Sequence, residues 1–153
     1  MKVLVLLGQA FLSPVASQSP PPLFVDKGAC PFECCTYRQW TVKRDTLLYD
    51  AVNGTRTVGR ATKGAKVRGL TGEVRTVPLK AKTKAGREVY MLTYLGEGFW
   101  KIWDNGAVKQ SNDDALNAHA RPQSTWWVRV RLPNGTVGWS KQPENFDNID
   151  ACG

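Results

Sequence analysis

Residues 126–140 read WWVRVRLPNGTVGWS and contain a complete β-hairpin pattern. In the first half, hydrophobic and basic side chains alternate, which is typical of a strand with one buried face. The Asn134-Gly135 pair supplies the two positive φ angles that a two-residue type I′ turn requires. The stretch therefore predicts strands over residues 126–132 and 136–140, joined by a tight turn.

The strand over residues 126–132 has two chemically different faces. Its hydrophobic face, the predicted core, consists of Trp126, Val128, Val130 and Leu132. The opposite face carries Trp127, Arg129 and Arg131, an indole beside two guanidinium groups. Such a face suits stacking on a sugar or a peptide while an anionic group is bound. The alternative is that the tryptophans only fill a small core.

Two further Asn-Gly pairs, Asn53-Gly54 and Asn105-Gly106, predict additional hairpin turns. From residue 40 onward, short hydrophobic or alternating runs lie between turn residues, which is typical of a sandwich or barrel. The other predicted strands cover residues 46–50, 57–61, 66–70, 88–95, 99–103 and 107–110. One short connector helix is predicted over residues 113–120, because Asn112 or Ser111 can cap it and Pro122 prevents its continuation.

Several short motifs resemble the bacterial SH3-like (SH3b-type) family. They are Leu47-Leu48-Tyr49-Asp50, Val58-Gly59-Arg60, Lys63-Gly64-Ala65-Lys66-Val67, Trp127-Val128-Arg129-Val130 and Gly138-Trp139-Ser140. The resemblance implies an all-β fold, a small SH3-like barrel in which Trp139 plugs one end. This sequence departs from the family because about residues 71–125 separate the two halves, so we predict an inserted extra hairpin region there. The family's domains are mostly binding modules, and the resemblance implies no catalytic activity.

The N-terminus has the pattern of a signal peptide. An apolar run of about ten residues follows Lys2 and is too short to span a bilayer of about 30 Å. Small residues follow at Val15-Ala16-Ser17, so we predict a leader over residues 1–17, with Ser19 as a second cleavage position. The alternative is a buried strand. With a leader, the protein is predicted to be exported and therefore periplasmic or secreted. A Pro-rich spacer is then expected over residues 18–24 and the barrel domain over residues 25–153.

All four cysteines, Cys30, Cys34, Cys35 and Cys152, follow the predicted cleavage site. An even number of cysteines in an exported chain predicts disulfides, whereas their spacing matches none of the usual zinc patterns. A Cys30–Cys152 bond would force the adjacent Cys34 and Cys35 to pair, so we expect Cys152 to pair with one of these two. No metal or cofactor is predicted.

The net charge of +8 favours anionic partners. Lys80, Lys82 and Lys84 alternate with uncharged residues, and Arg87 lies nearby, which predicts an anion-binding ridge. The alternative is an edge strand that lysines protect against aggregation. Outside the cytoplasm, the expected partner is an anionic cell-wall or envelope polymer, or an acidic peptide or protein. Neither nucleic acid binding nor a membrane span is expected.

Catalytic signatures are weak. His119 is the only imidazole, and it has no neighbouring nucleophile pattern. Carboxylate-pair chemistry could draw only on the scattered residues Asp50, Glu97, Asp104 and Glu144. We therefore predict that the protein is not an enzyme.

The predicted ligand-binding residues combine aromatic and basic side chains. They are Trp127, Arg129, Arg131, Trp103, Lys101 and Tyr49. In the strand over residues 99–103, Lys101 and Trp103 share one face, and Trp100 and Ile102 share the other. The predicted function is a non-enzymatic module that binds cell-wall or envelope polymer, or a peptide. The alternative is a structural or partner-docking envelope protein whose aromatic residues are all core.

Overall fold

The computed structural model describes residues 18–153, so the predicted leader over residues 1–17 lies outside the described residues. This part of the chain forms thirteen strands in two antiparallel sheets, with only two single-turn 3-10 segments. The all-β prediction is thus confirmed. Within residues 18–153, no helix has the length and apolar composition needed to cross a membrane.

Most strands are joined by short connections, and the longest one, residues 28–38, joins the first strand to the second. In chain order they are β1 (Phe24–Lys27), β2 (Gln39–Val42), β3 (Thr46–Tyr49), β4 (Thr57–Ala61), β5 (Lys66–Thr76), β6 (Leu79–Thr83), β7 (Glu88–Gly96), β8 (Phe99–Asp104), β9 (Ala107–Asn112), β10 (Leu116–Asn117), β11 (Ser124–Arg131), β12 (Val137–Ser140) and β13 (Phe146–Asp147). All eight predicted strands are present, whereas β1, β2, β10 and β13 were not predicted. Strand β6, which is also not among the eight, contains two of the four residues of the predicted anion-binding ridge, Lys80 and Lys82.

The first sheet has eight strands and curls into a half-barrel around the larger core. Its order is β13-β2-β5-β11-β12-β3-β4, and β1 also pairs with β5. The long strand β5 organises the sheet, because β11 runs along one side while β2 and β1 share the other. The core residues are Trp40, Val42, Leu48, Ala61, Val67, Val128, Val130, Leu132 and Phe146. Three of the four predicted core residues of β11 and its extension therefore belong to this core, and Trp126 packs against it half-buried.

A glycine opposite the largest core side chain allows this packing. The indole of Trp40 is fully buried and lies against Gly69 of β5. A Cβ atom on Gly69 would approach three indole carbons to 2.6–2.8 Å, a separation that side chains do not tolerate. The register between β5 and β11 also shifts at this point, between Arg129 and Val130.

The second sheet is formed by residues 79–117 and is inserted between β5 and β11. It has five strands in the order β10-β6-β7-β8-β9 and its own hydrophobic core. That core consists of Ala81, Val89, Met91, Trp100, Ile102 and Leu116. The inserted region is therefore a complete sheet with a core, which is larger than an extra hairpin.

The predicted connector helix over residues 113–120 is wrong. Asp113–Ala115 form a single 3-10 turn, in which the Asn112 side chain accepts a hydrogen bond of 2.9 Å from the Ala115 backbone N–H. Leu116 then enters β10, pairs with Thr83 of β6 and is only 5% exposed. Burial of Leu116 against the second sheet outweighs the helix-capping signals that precede it.

The three Asn-Gly pairs lie in turns between antiparallel partners, as predicted, but the predicted type I′ geometry is wrong at two of them, because Asn134 and Gly54 do not have positive φ. They lie between β3 and β4, between β8 and β9, and between β11 and β12. At Asn105-Gly106 both residues have positive φ, 48° and 91°, which matches a type I′ turn.

Two disulfides join the described cysteines, Cys30 to Cys35 and Cys34 to Cys152. The prediction that Cys152 pairs with Cys34 or Cys35 is confirmed. The second disulfide ties the segment before β2 to the C-terminal end, where Cys35 also forms a backbone bridge with Asp150. Two disulfides indicate a non-reducing environment.

Candidate functional site

Four basic side chains lie together on the outer face of the first sheet. Lys66 and Arg68 belong to β5, and Arg129 and Arg131 belong to β11; all four are exposed. We call these residues the basic face. Their sequence neighbours point inward because side chains alternate along a strand. The alternation in the sequence of β11 thus correctly separated its charged face from its core face.

The register brings like charges directly opposite each other. Arg131 pairs with Arg68, and Arg129 pairs with Thr71 across the same two strands. Within residues 18–153, no carboxylate forms an ion pair with any of the four basic side chains. The ammonium group of Lys66 donates a hydrogen bond of 2.6 Å to Thr41 Oγ1, which leaves its charge uncompensated. Opposed like charges destabilise a sheet, so this arrangement lowers the stability of the fold.

A groove of about 370 Å³ lies at one end of the basic face. Its lining residues are Gln39, Lys66, Val67, Arg68, Arg131, Leu132 and Pro133. Three cationic groups therefore border a single depression, and Gln39 adds an amide next to Arg68, its cross-strand partner. The groove can accept anionic oxygens, because guanidinium groups form paired hydrogen bonds with carboxylates and phosphates.

Aromatic side chains continue the same face toward β3. Trp139 of β12 lies opposite Arg129 on one side and opposite Tyr49 of β3 on the other. The prediction that Trp139 plugs the barrel is wrong, since the side chain is half-buried on the outer face. The inward positions of β12 are Gly138 and Ser140, which are both buried.

Trp127 does not form the exposed stacking surface that alternation predicted. The side chain lies on the same face of β11 as Arg129, but it is only 4% exposed. Tyr49 covers it in an edge-to-face contact with ring centroids 6.3 Å apart. Trp127 borders a second cavity of about 530 Å³ together with Leu23, Val77 and Arg75, among others. Tyr49 and Trp127 therefore contact each other and have limited surface for a ligand.

The other two predicted ligand residues lie in the second sheet. Alternation in β8 is as predicted, because Trp100 and Ile102 are buried while Lys101 and Trp103 are partly exposed. Lys101 Nζ binds both carboxylate oxygens of Asp26, at 2.9 and 2.8 Å. Trp103 Nε1 donates to the backbone oxygen of Gln18 at 2.7 Å. Both polar groups are therefore occupied by the N-terminal part of the described chain.

The lysine ridge is exposed and partly neutralised. Lys80 Nζ lies 3.2 Å from Glu88 Oε1, and the hydrogen bond with Glu88 raises the pKa of this lysine. Arg87 Nη1 lies 2.6 Å from Asp104 Oδ2. Lys82 and Lys84 form no ion pair within the described chain. Strand β10 pairs only with the C-terminal end of β6, so the rest of β6 is an open sheet edge. Lysines on such an edge oppose aggregation.

The carboxylates considered for catalysis have structural partners or lie at the surface. Asp104 accepts hydrogen bonds from Lys109 and Arg87, which lower its pKa despite its burial. Asp50 forms an exposed ion pair with Arg56. The charge of exposed Glu97 raises the pKa of nearby Glu33. Glu144 is exposed in the second 3-10 turn, Pro143–Asn145.

Sequence reasoning missed Lys66, Arg68 and Trp139 as members of the site. The alternation of Lys66, Val67 and Arg68 already indicated that the two basic side chains share a face. Only the pairing of β5 with β11 shows that this face is continuous with Arg129 and Arg131.

Fold and site together define an all-β, disulfide-bonded protein with an uncompensated basic face. Compared with models of known families, with curated proteins and with solved structures, the chain matches none. The SH3-like assignment therefore stays a prediction, and the functional inference rests on the chemistry of the basic face.

Proposed function

We propose that the protein is an exported, non-enzymatic binding module for an anionic cell-wall or envelope polymer or an acidic peptide. The single observation that carries the proposal is the Arg68–Arg131 cross-strand pair, which faces solvent with no carboxylate partner among the described residues. Export is supported by the leader pattern and by the two disulfides. The motif resemblance and the curled first sheet support an SH3-like domain.

The spacing of the basic face suits a ligand with several closely spaced anionic groups. Alternate residues on one strand face lie roughly 7 Å apart, and neighbouring strands lie about 5 Å apart. Four charges in such a patch raise the local concentration of a polyanion and bind more than one of its groups. Trp139, beside Arg129, adds an aromatic surface for a sugar ring or an apolar side chain.

A second candidate is a structural or partner-docking envelope protein without a small ligand. Burial favours it at several aromatic positions: Trp40, Trp100 and Trp127 are at most 5% exposed. On this alternative, the basic face contacts an acidic protein surface and has no affinity for isolated polymer.

The test is a pulldown of the protein on purified peptidoglycan that carries its anionic polymers, at several salt concentrations. We expect Arg68→Ala with Arg131→Ala to reduce the affinity at least about tenfold, because two charge-assisted contacts are lost. Increasing salt should weaken binding of the unmodified protein in the same direction.

The matched control is Lys82→Ala with Lys84→Ala. This double variant removes the same net charge from two exposed lysines of the predicted ridge. Affinity should change less than about twofold. A larger loss of affinity in the lysine variant than in the arginine variant would place the site on the second sheet. If the folded protein does not bind peptidoglycan at any salt concentration, the structural alternative is favoured.

A further inference from the structure

The N-terminal end of the described chain is held by the turn between β8 and β9. The Gln18 backbone oxygen accepts the hydrogen bond from Trp103 Nε1, and the Gln18 backbone nitrogen donates to Asn105 Oδ1 at 3.3 Å. Gln18 is the first residue after the predicted cleavage position, Ser17. The two contacts therefore bind both backbone polar groups of the residue that cleavage would make N-terminal.

The turn itself is shaped to receive this residue. The Gln18 side chain lies against Gly106, where a Cβ atom would collide with Gln18 Oε1 and Cδ. At the corresponding glycine of the turn between β11 and β12, Gly135, no atom lies within 4 Å of the same position. The space above Gly106 is thus occupied by Gln18, whereas the space above Gly135 is open.

Gln18 is one of the residues that border a cavity of about 330 Å³. Its lining residues are Gln18, Arg87, Glu88, Tyr90, Trp103, Asp104 and Asn105. Its two carboxylates are already paired, Glu88 with Lys80 and Asp104 with Arg87 and Lys109. The group that contacts the Gln18 nitrogen is therefore the uncharged amide oxygen of Asn105. An α-ammonium group has three donors, of which Asn105 Oδ1 can take one.

We propose that Asn105 and Trp103 form a binding site for the α-amino group and the carbonyl oxygen of Gln18 once the leader has been cleaved after Ser17. The inference rests on the predicted cleavage and goes beyond the polymer-binding function, which uses the other sheet. Capture of an N-terminal amine is an established mode of peptide recognition. Here the ligand is the protein's own processed end, so maturation anchors the Pro-rich spacer to the second sheet.

The proposal has a chemical consequence that can be measured. An N-terminal glutamine cyclises when its neutral α-amino nitrogen forms a bond to the side-chain Cδ. The Cδ–Nε2 bond breaks and ammonia leaves, so the product is a lactam without a basic amine. In the bound state, Asn105 Oδ1 accepts a hydrogen bond from the amine and the side chain lies against Gly106, so bound Gln18 should cyclise more slowly than free Gln18.

The experiment expresses the full chain with its leader in a secreting host and follows the processed protein by intact-mass and N-terminal peptide analysis. We expect the processed chain to begin at Gln18 and to lose ammonia slowly. Trp103→Phe and Asn105→Ala should each accelerate the loss about three- to tenfold, because each removes one hydrogen bond to Gln18. Asn105→Asp keeps an acceptor oxygen and adds a negative charge, so it should restore slow cyclisation.

Asn53→Ala is the matched control. Asn53 occupies another Asn-Gly turn with φ 57°, close to the 48° of Asn105, so alanine carries similar backbone strain at both positions. The control should cyclise at the rate of the unmodified protein. Equal rates in the unmodified protein, Trp103→Phe and Asn105→Ala would overturn the proposal, as would a processed chain that begins at another residue. Neither result would affect binding of polymer by the first sheet.

Discussion

Arg68 of β5 and Arg131 of β11 lie directly opposite each other in the first sheet, with both side chains exposed. Directly opposed like charges cost about 0.2–1 kcal/mol relative to a neutral pair. The pair therefore lowers the stability of the first sheet.

Replacing Arg131 with threonine should stabilise the fold. We expect Arg131→Thr to raise the free energy of unfolding by about 0.2–1 kcal/mol at low salt, with a smaller gain at high salt. Urea unfolding at two salt concentrations measures the change. Arg44→Thr is the control, because it removes one charge from an exposed arginine outside the basic face. A gain of equal size in the control would attribute the effect to net charge.

Two tryptophans should differ strongly in their contribution to stability. Trp40 is fully buried in the first core, so Trp40→Ala should cost about 3–5 kcal/mol. Trp139 is half-buried on the outer face, so Trp139→Ala should cost less than about 2 kcal/mol. Denaturant midpoints of the two variants provide the measurement. Equal losses would place Trp139 in the core.

The two disulfides should also differ in their effects. Cys34–Cys152 spans 118 residues, whereas Cys30–Cys35 spans five. Loop-closure entropy gives about 5 kcal/mol for the long loop and about 2 kcal/mol for the short one. We expect the Cys34→Ser, Cys152→Ser variant to unfold at clearly lower denaturant than the Cys30→Ser, Cys35→Ser variant. The reverse order would show that local packing of the short loop dominates.

Tyr37 should titrate at unusually high pH. Burial raises its pKa to about 12, although the hydrogen bond from Trp126 Nε1 opposes the shift. Because the folded-state pKa exceeds the unfolded value of about 10, this tyrosine contributes stability that is fully present below about pH 10 and lost as the pH rises toward 12.

Ultraviolet titration of the four tyrosines checks this expectation. One phenol should ionise near pH 12, and that late step should disappear in Tyr37→Phe. The Tyr94→Phe variant serves as a control and should retain the step. A late step that persists in Tyr37→Phe would assign the shift to another tyrosine.

Local sequence patterns determined most strands, the hairpin turns and the limits on cysteine pairing. Alternation in residues 126–132 reports which face is buried, because side-chain direction in a strand depends only on position. The Asn-Gly pairs predicted where the turns lie, and at Asn105-Gly106 they also predicted the type I′ geometry, whereas Asn134 does not have the positive φ that this geometry requires. The short ring required by a Cys34–Cys35 bond is likewise a local restriction.

Only the tertiary structure decided how these elements combine. Alternation assigned Trp127 to the charged face correctly, but its burial depends on Tyr49 from another strand. Leu116 lies in a strand rather than in the predicted helix because it pairs with β6. Trp103 Nε1 is not free for a ligand because it donates a hydrogen bond to the backbone oxygen of Gln18. The juxtaposition of Arg68 and Arg131 arises in the same way, from the register of β5 with β11. Such contacts join residues far apart in the chain, and their free energy depends on the whole folded arrangement, which no short window of sequence contains.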